Sequence, residues 1–323
     1  MNPSLFLQTL NDEIARQRYG EQPTELYEPI RYLMAIGGKR LRPVLTLLGA
    51  ALYTDDWARA LRPAMAVEVF HNFTLMHDDI MDKAPLRRGQ PTVHVKWNEN
   101  VGILSGDVML VQAYELLLDV DDDLLKPILR RFNRTAAQVC EGQQGDMNFE
   151  GRSDVTEADY LEMIRLKTAV LLGFSLELGA MIARAPLADC DLLRRVGECI
   201  GLGFQLKDDY LDVYGEPGKF GKLVGGDILA NKKTFLLIEA LEKATGPTRY
   251  ELTRWLAATE YNPVEKVEAV TAIYDQLGIG EATATLMNRY FDQAFSLLDQ
   301  LPVEARRKAL LRQFAEQLIS RER

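Results

Sequence analysis

Residues 66–82 read "AVEVFHNFTLMHDDIMD". Apolar side chains recur at three- and four-residue spacing as far as Met76, the pattern of a buried helix. The run then ends on three acids, Asp78, Asp79 and Asp82, with Pro85 close behind as a stop signal. The arrangement returns in "FQLKDDYLD", residues 204–212, as Asp208, Asp209 and Asp212, ahead of Gly215 and Pro217. Both sets therefore fall near helix C-termini. On a helix, positions i and i+4 share a face, with Cβ atoms about 5–6 Å apart. Two carboxylates so placed can grip a hard divalent cation through one oxygen each, as Mg²⁺ is commonly held together with waters and substrate phosphates. The negative pole of the macrodipole disfavours each acid by roughly 0.3–1 kcal/mol, so six acids in this position do not serve stability. The run "DVDDDL", residues 119–124, is different: it precedes a helix and reads as capping acid with no chemistry.

Working outward, almost every segment shows helical periodicity, and runs of alternating β-branched residues are nearly absent. The spacing predicts helices over 3–18, 23–36, 41–52, 57–82, 99–118, 123–148, 156–184, 189–215, 229–243, 247–258, 263–277 and 280–320. Glycine, proline and short polar clusters punctuate the breaks. "PTVHVKW", 91–97, looks strand-like but isolated, and a loop or a helix start fits it as well. No long Gly/Ser/Pro linker interrupts the chain, which predicts one all-α domain over residues 1–323, a bundle of about a dozen helices or more.

The chain has 323 residues, 47% apolar and 26% charged, enough for a sizeable core. A net charge of −9 argues against nucleic acid as a partner. Cys140, Cys190 and Cys199 have neither zinc-site nor disulfide spacing, which predicts a reducing, cytoplasmic setting. The first residues carry acids early and lack the apolar core of a secretory leader. The longest apolar run, 169–183, is interrupted by Glu177 and is short for a membrane span.

Basic groups accompany the acids. "IGGKRLRP", 36–43, sets Lys39, Arg40 and Arg42 after a glycine pair, which suits phosphate. Arg87 and Arg88 follow the first acid set; Lys167 and Thr168 lie in "RLKT"; Lys222, Lys232 and Lys233 flank the Gly-rich stretch after the second. Each alone reads as surface charge. Together with two acidic faces they describe a site for diphosphates.

In this order, "GGKRLRP", "HDDIMD", "RRGQPTVH", "KT", "FQLKDDYLD" and "GGDILANKKT" resemble the trans-isoprenyl diphosphate (polyprenyl) synthases. The resemblance covers most of the chain apart from about the last 80 residues, which carry no comparable motif. It implies the isoprenoid-synthase bundle around a central apolar cavity. It implies that Asp78, Asp82 and Asp208 bind Mg²⁺, three ions with the allylic diphosphate bound, and that Asp79, Asp209 and Asp212 support them. Arg87, Lys167, Lys222 and Lys232 would contact the allylic diphosphate, whether dimethylallyl, geranyl or farnesyl. Lys39, Arg42, His71 and Arg88 would hold isopentenyl diphosphate, with Arg40 in the same basic run. Thr168 and Gln205 would place oxygens near the developing cation. A homodimer is implied as well. Without the resemblance, His71 reads as a satisfied core histidine.

In this family, product length follows bulk on the helix before the first acid set. Phe73 lies five residues before Asp78 and Thr74 four before it, with Phe70 one turn deeper. An aromatic at the fifth position and a small residue at the fourth resemble the geranylgeranyl diphosphate synthases; a farnesyl product is the alternative, and plain core packing of both rings fits the spacing equally. A non-catalytic partner subunit would be expected to lack motif aspartates, and all six are present. A terpene cyclase or head-to-head synthase leaves "GGKRLRP" and "RRG" unexplained.

Overall fold

The structure is a computed structural model that describes residues 3–215 and 225–320. It is helical throughout, apart from one minimal hairpin. The elements run α1 (Pro3–Arg16), α2 (Thr24–Ala35), α3 (Leu41–Ala51), a 3₁₀ turn (Trp57–Ala60) leading into α4 (Leu61–Met81), β1 (Leu86–Arg87), β2 (Gln90–Pro91), α5 (Val93–Lys96), α6 (Glu99–Leu117) and α7 (Asp122–Glu150). They continue with α8 (Glu157–Ile164), a π turn (Arg165–Ala169), α9 (Val170–Ile182), α10 (Leu187–Tyr214), α11 (Gly226–Leu229), α12 (Phe235–Lys243), α13 (Gly246–Ala257), α14 (Pro263–Gln276), α15 (Ile279–Asp299) and α16 (Ala305–Ile319).

Helix starts carry the expected side chains. Thr156 and Asp159 form a reciprocal capping box on α8, each accepting the other's backbone N–H at 3.2 Å. Asn98 caps α6 and Asn262 caps α14, where Pro263 occupies the first turn. Three expected helices are interrupted. The 156–184 helix contains the π turn, the 229–243 helix breaks between α11 and α12, and the 280–320 helix breaks around Pro302, whose ring cannot continue a helix. "PTVHVKW" is not a strand: Pro91 ends β2 and Val93–Lys96 is a helical turn.

The chain divides into two compact units, one of Met1–Ala136, Leu171–Gly197 and Leu297–Phe314, the other of Ala137–Val170, Glu198–Ser296 and Ala315–Arg323. In the first, α3 is buried at every position except Arg42. It meets α9 backbone to backbone: a methyl at Gly179 would stand 1.9 Å from the Thr46 carbonyl oxygen, and one at Gly49 would stand 2.4 Å from that of Leu176. Phe132 anchors an aromatic column, with ring centroids 5.1 Å from Phe70, 5.1 Å from Tyr114 and 5.8 Å from Phe174. Glu177, which interrupts the apolar run of α9, is buried and pairs with Arg131 at 2.9 Å. Among the described residues no helix is long and apolar enough to cross a membrane. Three of the four acids of "DVDDDL" are taken up by surface arginines: Asp119 by Arg62, Asp121 by Arg59 and Arg184, and Asp123 by Arg184.

In the second unit, one apolar cluster joins α8, α10 and α12 through Tyr160, Leu206 and Phe235. Another joins α12, α13 and α14 through Leu237, Leu252 and Val270.

The α3–α9 contact has no room for a side chain. Gly179→Ala should destabilise the protein by about 1–3 kcal/mol or more in urea unfolding. Gly145→Ala, whose methyl would meet Met163 Cγ at an ordinary 3.6 Å inside α7, should be neutral or stabilising by about 0.5–1 kcal/mol.

Candidate active site

The first acid set closes α4. Asp82 is the C-cap residue, and Lys83 follows with a left-handed φ of 50°. Ala84 N–H donates to the Asp79 carbonyl at 2.9 Å and Lys83 N–H to that of Ile80 at 3.2 Å, the bond pair of a Schellman ending. Asp78 and Asp82 are i and i+4 in this last turn, partly or fully exposed, whereas Asp79 is buried.

The β1–β2 hairpin then delivers the arginines. Its two central residues, Arg88 and Gly89, have φ of 52° and 76°, the signs a type I′ turn requires. Arg87 folds back onto Asp79 as a bidentate fork, Nε to Oδ2 at 2.8 Å and Nη2 to Oδ1 at 2.7 Å. The Arg88 guanidinium lies over Gly38, so close that a methyl there would stand 2.5 Å from Nη1. The glycine pair of "GGKRLRP" is thus the bed on which the second arginine rests.

The three cations of that motif part company. Lys39 is exposed. Arg40, in a left-handed conformation before α3, turns inward: it is buried, its Nη1 pairs with Glu68, and its Nη2 donates to the Met34 carbonyl at 2.8 Å. These bonds of Arg40 hold the loop rather than face outward. Arg42 reaches His71, Nη1 to Nε2, at 3.1 Å. Because a guanidinium can only donate, His71 Nε2 accepts and its proton sits on Nδ1. Burial, followed by the charges of Arg42, Arg88, Arg87 and Arg40, holds the His71 pKa well below the ordinary imidazole value, so His71 is neutral at pH 7. The result is a cationic face around a neutral imidazole, in a chain of net charge −9.

Upstream on α4, Phe73 is half-buried and stacks edge-on with His77 at 4.8 Å. Phe70 is fully buried in the aromatic column, 5.7 Å from Phe73. The Thr74 hydroxyl donates back to the His71 carbonyl at 2.8 Å.

The second unit carries the other set on α10. Asp209 is buried; it accepts from Tyr160 Oη at 2.6 Å and from Gln205 Nε2 at 2.8 Å. Gln205 in turn accepts from the Thr168 hydroxyl at 3.0 Å, so Thr168, Gln205 and Asp209 form one chain. Burial first, then the neighbouring Asp227, raises the Asp209 pKa to about 7, with Lys232, Tyr160 and Gln205 opposing. Asp212 Oδ2 accepts the Asp227 backbone N–H at 2.8 Å, and the Asp212 carbonyl accepts that of Gly225 at 2.6 Å. Lys167 lies in the π turn and pairs with Asp146 at 2.6 Å. That turn is wider than an α-helix, and two glycines make way for it. A methyl at Gly142 would stand 2.2 Å from Lys167 N, and one at Gly201 would stand 2.5 Å from Ala169 Cα. Lys232 is exposed beyond α11, and Lys222 lies outside the described residues.

Glu68, Asp146 and Tyr160 are partners that motif reading misses, since each is a single residue whose meaning comes only from what it touches; Asp227 lies within "GGDILANKKT", but its bond to Asp212 is not legible there. As donors for a metal, the carboxylates are hard oxygens of the kind Mg²⁺ takes. Among the described residues no group of three or more His, Cys, Asp or Glu side chains is disposed as a closed cage. Such a donor set fits an ion that draws its remaining ligands from water and phosphate.

The polyprenyl synthetase family model matches residues 23–276. The chain belongs to the polyprenyl synthetase family. As such it is a trans-prenyltransferase with the family's helical fold. The geranylgeranyl diphosphate synthase of Methanosarcina mazei is 38% identical over 303 residues, 93% of this chain and 91% of that protein. A solved geranylgeranyl pyrophosphate synthase superposes with a TM-score of 0.95 at 43% identity, covering 99% of both chains. A polyprenyl synthase from Caulobacter crescentus, solved with calcium and isoprenyl diphosphate, superposes with a TM-score of 0.88 at 30% identity, covering 99% of this chain and 96% of that one.

In this polyprenyl synthetase, the Arg40–Glu68 pair is the buried tie of the basic loop. Glu68→Gln leaves the guanidinium without its counter-charge and should cost about 3–5 kcal/mol in urea unfolding. Asp119→Asn, which removes an exposed partner of Arg62, should cost less than about 1 kcal/mol.

Proposed function

We propose that the chain condenses isopentenyl diphosphate with an allylic diphosphate, head to tail and in the trans configuration, and that geranylgeranyl diphosphate is the product. The observation that carries this reading is the cationic face of Arg42, Arg87 and Arg88 around neutral His71, next to the acidic end of α4. Phosphate needs exactly such donors; an acid cluster alone would repel it, so the two together suit an anion that arrives with divalent cations. The names carried by the relatives support the product assignment.

Mg²⁺, when bound by Asp78, Asp82 and Asp208, supplies the positive charge that lets the diphosphate leave. In this proposal the ion set numbers three. Asp79, Asp209 and Asp212 act as supports, which agrees with the fork, hydroxyl, amide and backbone donors that hold them. Arg87, Lys167, Lys222 and Lys232 receive the allylic diphosphate. Lys39, Arg42, Arg88 and His71 hold isopentenyl diphosphate, with Arg40 bracing the loop from inside. The allylic C–O bond breaks and its electron pair leaves on the diphosphate. The alkene of isopentenyl diphosphate attacks the cation, and the proton it then loses passes to the departing diphosphate. Thr168 and Gln205 direct oxygens toward the positive charge. Phe73 limits the tail, and Phe70 lies beneath it.

The enzyme is further proposed to be a cytoplasmic homodimer. Supporting the dimer, Ile103, Leu104, Val111 and Leu118 are exposed on α6 or just beyond its end. Supporting the reducing compartment, Cys140, Cys190 and Cys199 form no disulfide.

With isopentenyl diphosphate, an allylic diphosphate and Mg²⁺, chromatography should show geranylgeranyl diphosphate; folded protein giving no prenyl product overturns the proposal. Asp78→Ala and Asp208→Ala should each lower kcat by about a hundredfold or more, and chelation by EDTA should abolish turnover. Phe73→Ala should lengthen the product, and an unchanged product removes Phe73 as the stop.

A further inference from the structure

About the last 80 residues of the chain carry no family motif, yet α14 buries a lysine. Lys266 is 0% exposed. Among the described residues no carboxylate lies within ion-pair distance of it. Burying an ammonium is costly unless it is paired, and a methionine of similar shape would pack there without that cost. Its partners are two. Nζ donates to Asn231 Oδ1 at 2.8 Å and lies over the Tyr261 ring, 4.3 Å from the centroid.

Asn231 is the hinge of the turn that follows α11. It holds a left-handed φ of 51°, which an amide side chain tolerates best when something fixes it. Its Nδ2 donates to the Leu256 carbonyl at 3.1 Å, and its backbone N–H donates to Ile228 at 3.1 Å. Tyr261 Oη donates to the Leu229 carbonyl at 3.2 Å. The next residue is Lys232, whose N–H donates to the Asp227 carbonyl at 2.9 Å. Asp227 N–H in turn donates to Asp212 of the second acid set. A continuous set of bonds thus runs from Lys266 to the lysine and to the aspartate.

We propose that Lys266 is a positioning residue that locks the Asn231 turn and so aims the Lys232 ammonium at the allylic diphosphate. The proposal rests on the assignment of Lys232 made above. It also accounts for the α13–α14 segment: the connection between them supplies Tyr261, α13 supplies the Leu256 carbonyl, and α14 supplies the buried cation.

The test is a double-mutant cycle on the full-length enzyme, with KM measured separately for each substrate. Lys266→Met should raise KM for the allylic diphosphate about tenfold, leave KM for isopentenyl diphosphate within about twofold, and add nothing further in a Lys232→Ala background. Lys266→Arg, which keeps the charge and a donor, should recover part of the loss. A folded Lys266→Met with both KM values unchanged, with both raised equally, or with its full effect retained in the Lys232→Ala background overturns the proposal. If Lys266→Met does not fold, Asn231→Gly replaces it: glycine keeps the left-handed turn but drops the amide. The same split is expected, and its absence is equally fatal. Lys232→Ala alone separates the two assignments. If it leaves the allylic KM unchanged, the role of Lys232 fails; if it raises that KM and Lys266→Met does not, only the role of Lys266 fails.

Discussion

A helix that ends on carboxylates works against its own dipole, and α4 and α10 each end on three. The penalty is roughly 0.3–1 kcal/mol per acid before any burial is counted. Much of the local architecture can be understood as the supply of donors that lifts it. On α4 the β1–β2 hairpin returns Arg87 as a two-pronged donor to Asp79. On α10 the hydroxyl of Tyr160 and the amide of Gln205 take Asp209, and the start of α11 gives its backbone N–H to Asp212. The supporting aspartates are satisfied by the protein itself.

The fold was legible where its cause is local. Three- and four-residue apolar spacing located most of the helices, because a helix in a packed protein must present an apolar stripe whatever its neighbours are. The errors fall where the cause is distant. The π turn at Arg165–Ala169 depends on Gly142 and Gly201, each far from it in sequence and each lacking the methyl that would collide with it. No property of "RLKTA" itself announces the extra width. The hairpin was hidden for a related reason. Type I′ turns favour Asn-Gly or Asp-Gly, and here the first central position is Arg88, held against Gly38. The break at Pro302 is different in kind: the residue is a plain helix breaker, and a run of apolar periodicity on both sides masked it.

For the site, residue type and spacing nominate side chains but do not say which way each one faces. "KRLR" offers three cations in four positions, and sequence treats them alike. The left-handed backbone at Arg40 reverses that residue into the core against Glu68 and separates it from Lys39 and Arg42. The lone partners behave oppositely. Tyr160 and Asp146 belong to no recognisable pattern, so only three-dimensional proximity to Asp209 and Lys167 gives them meaning. Buried charges such as Glu68 and Lys266 could have been flagged by their unusual place on an apolar helix face, but their partners could not.

The basic face makes His71 a conditional group. Without a bound anion, burial and then four guanidinium groups keep its ring neutral. Its one lone pair is spent on Arg42. In that state it orients an arginine and has only the Nδ1–H to offer elsewhere. A diphosphate brought among the same arginines would cancel much of their field, while burial, the larger cause, would still hold the imidazole down. Protonation at Nε2 would then have to displace Arg42, since two donors cannot share that bond. A proton and the Arg42 hydrogen bond therefore compete for the same Nε2 lone pair. While burial keeps the ring neutral, a phosphate at this face meets the arginine as its charged donor.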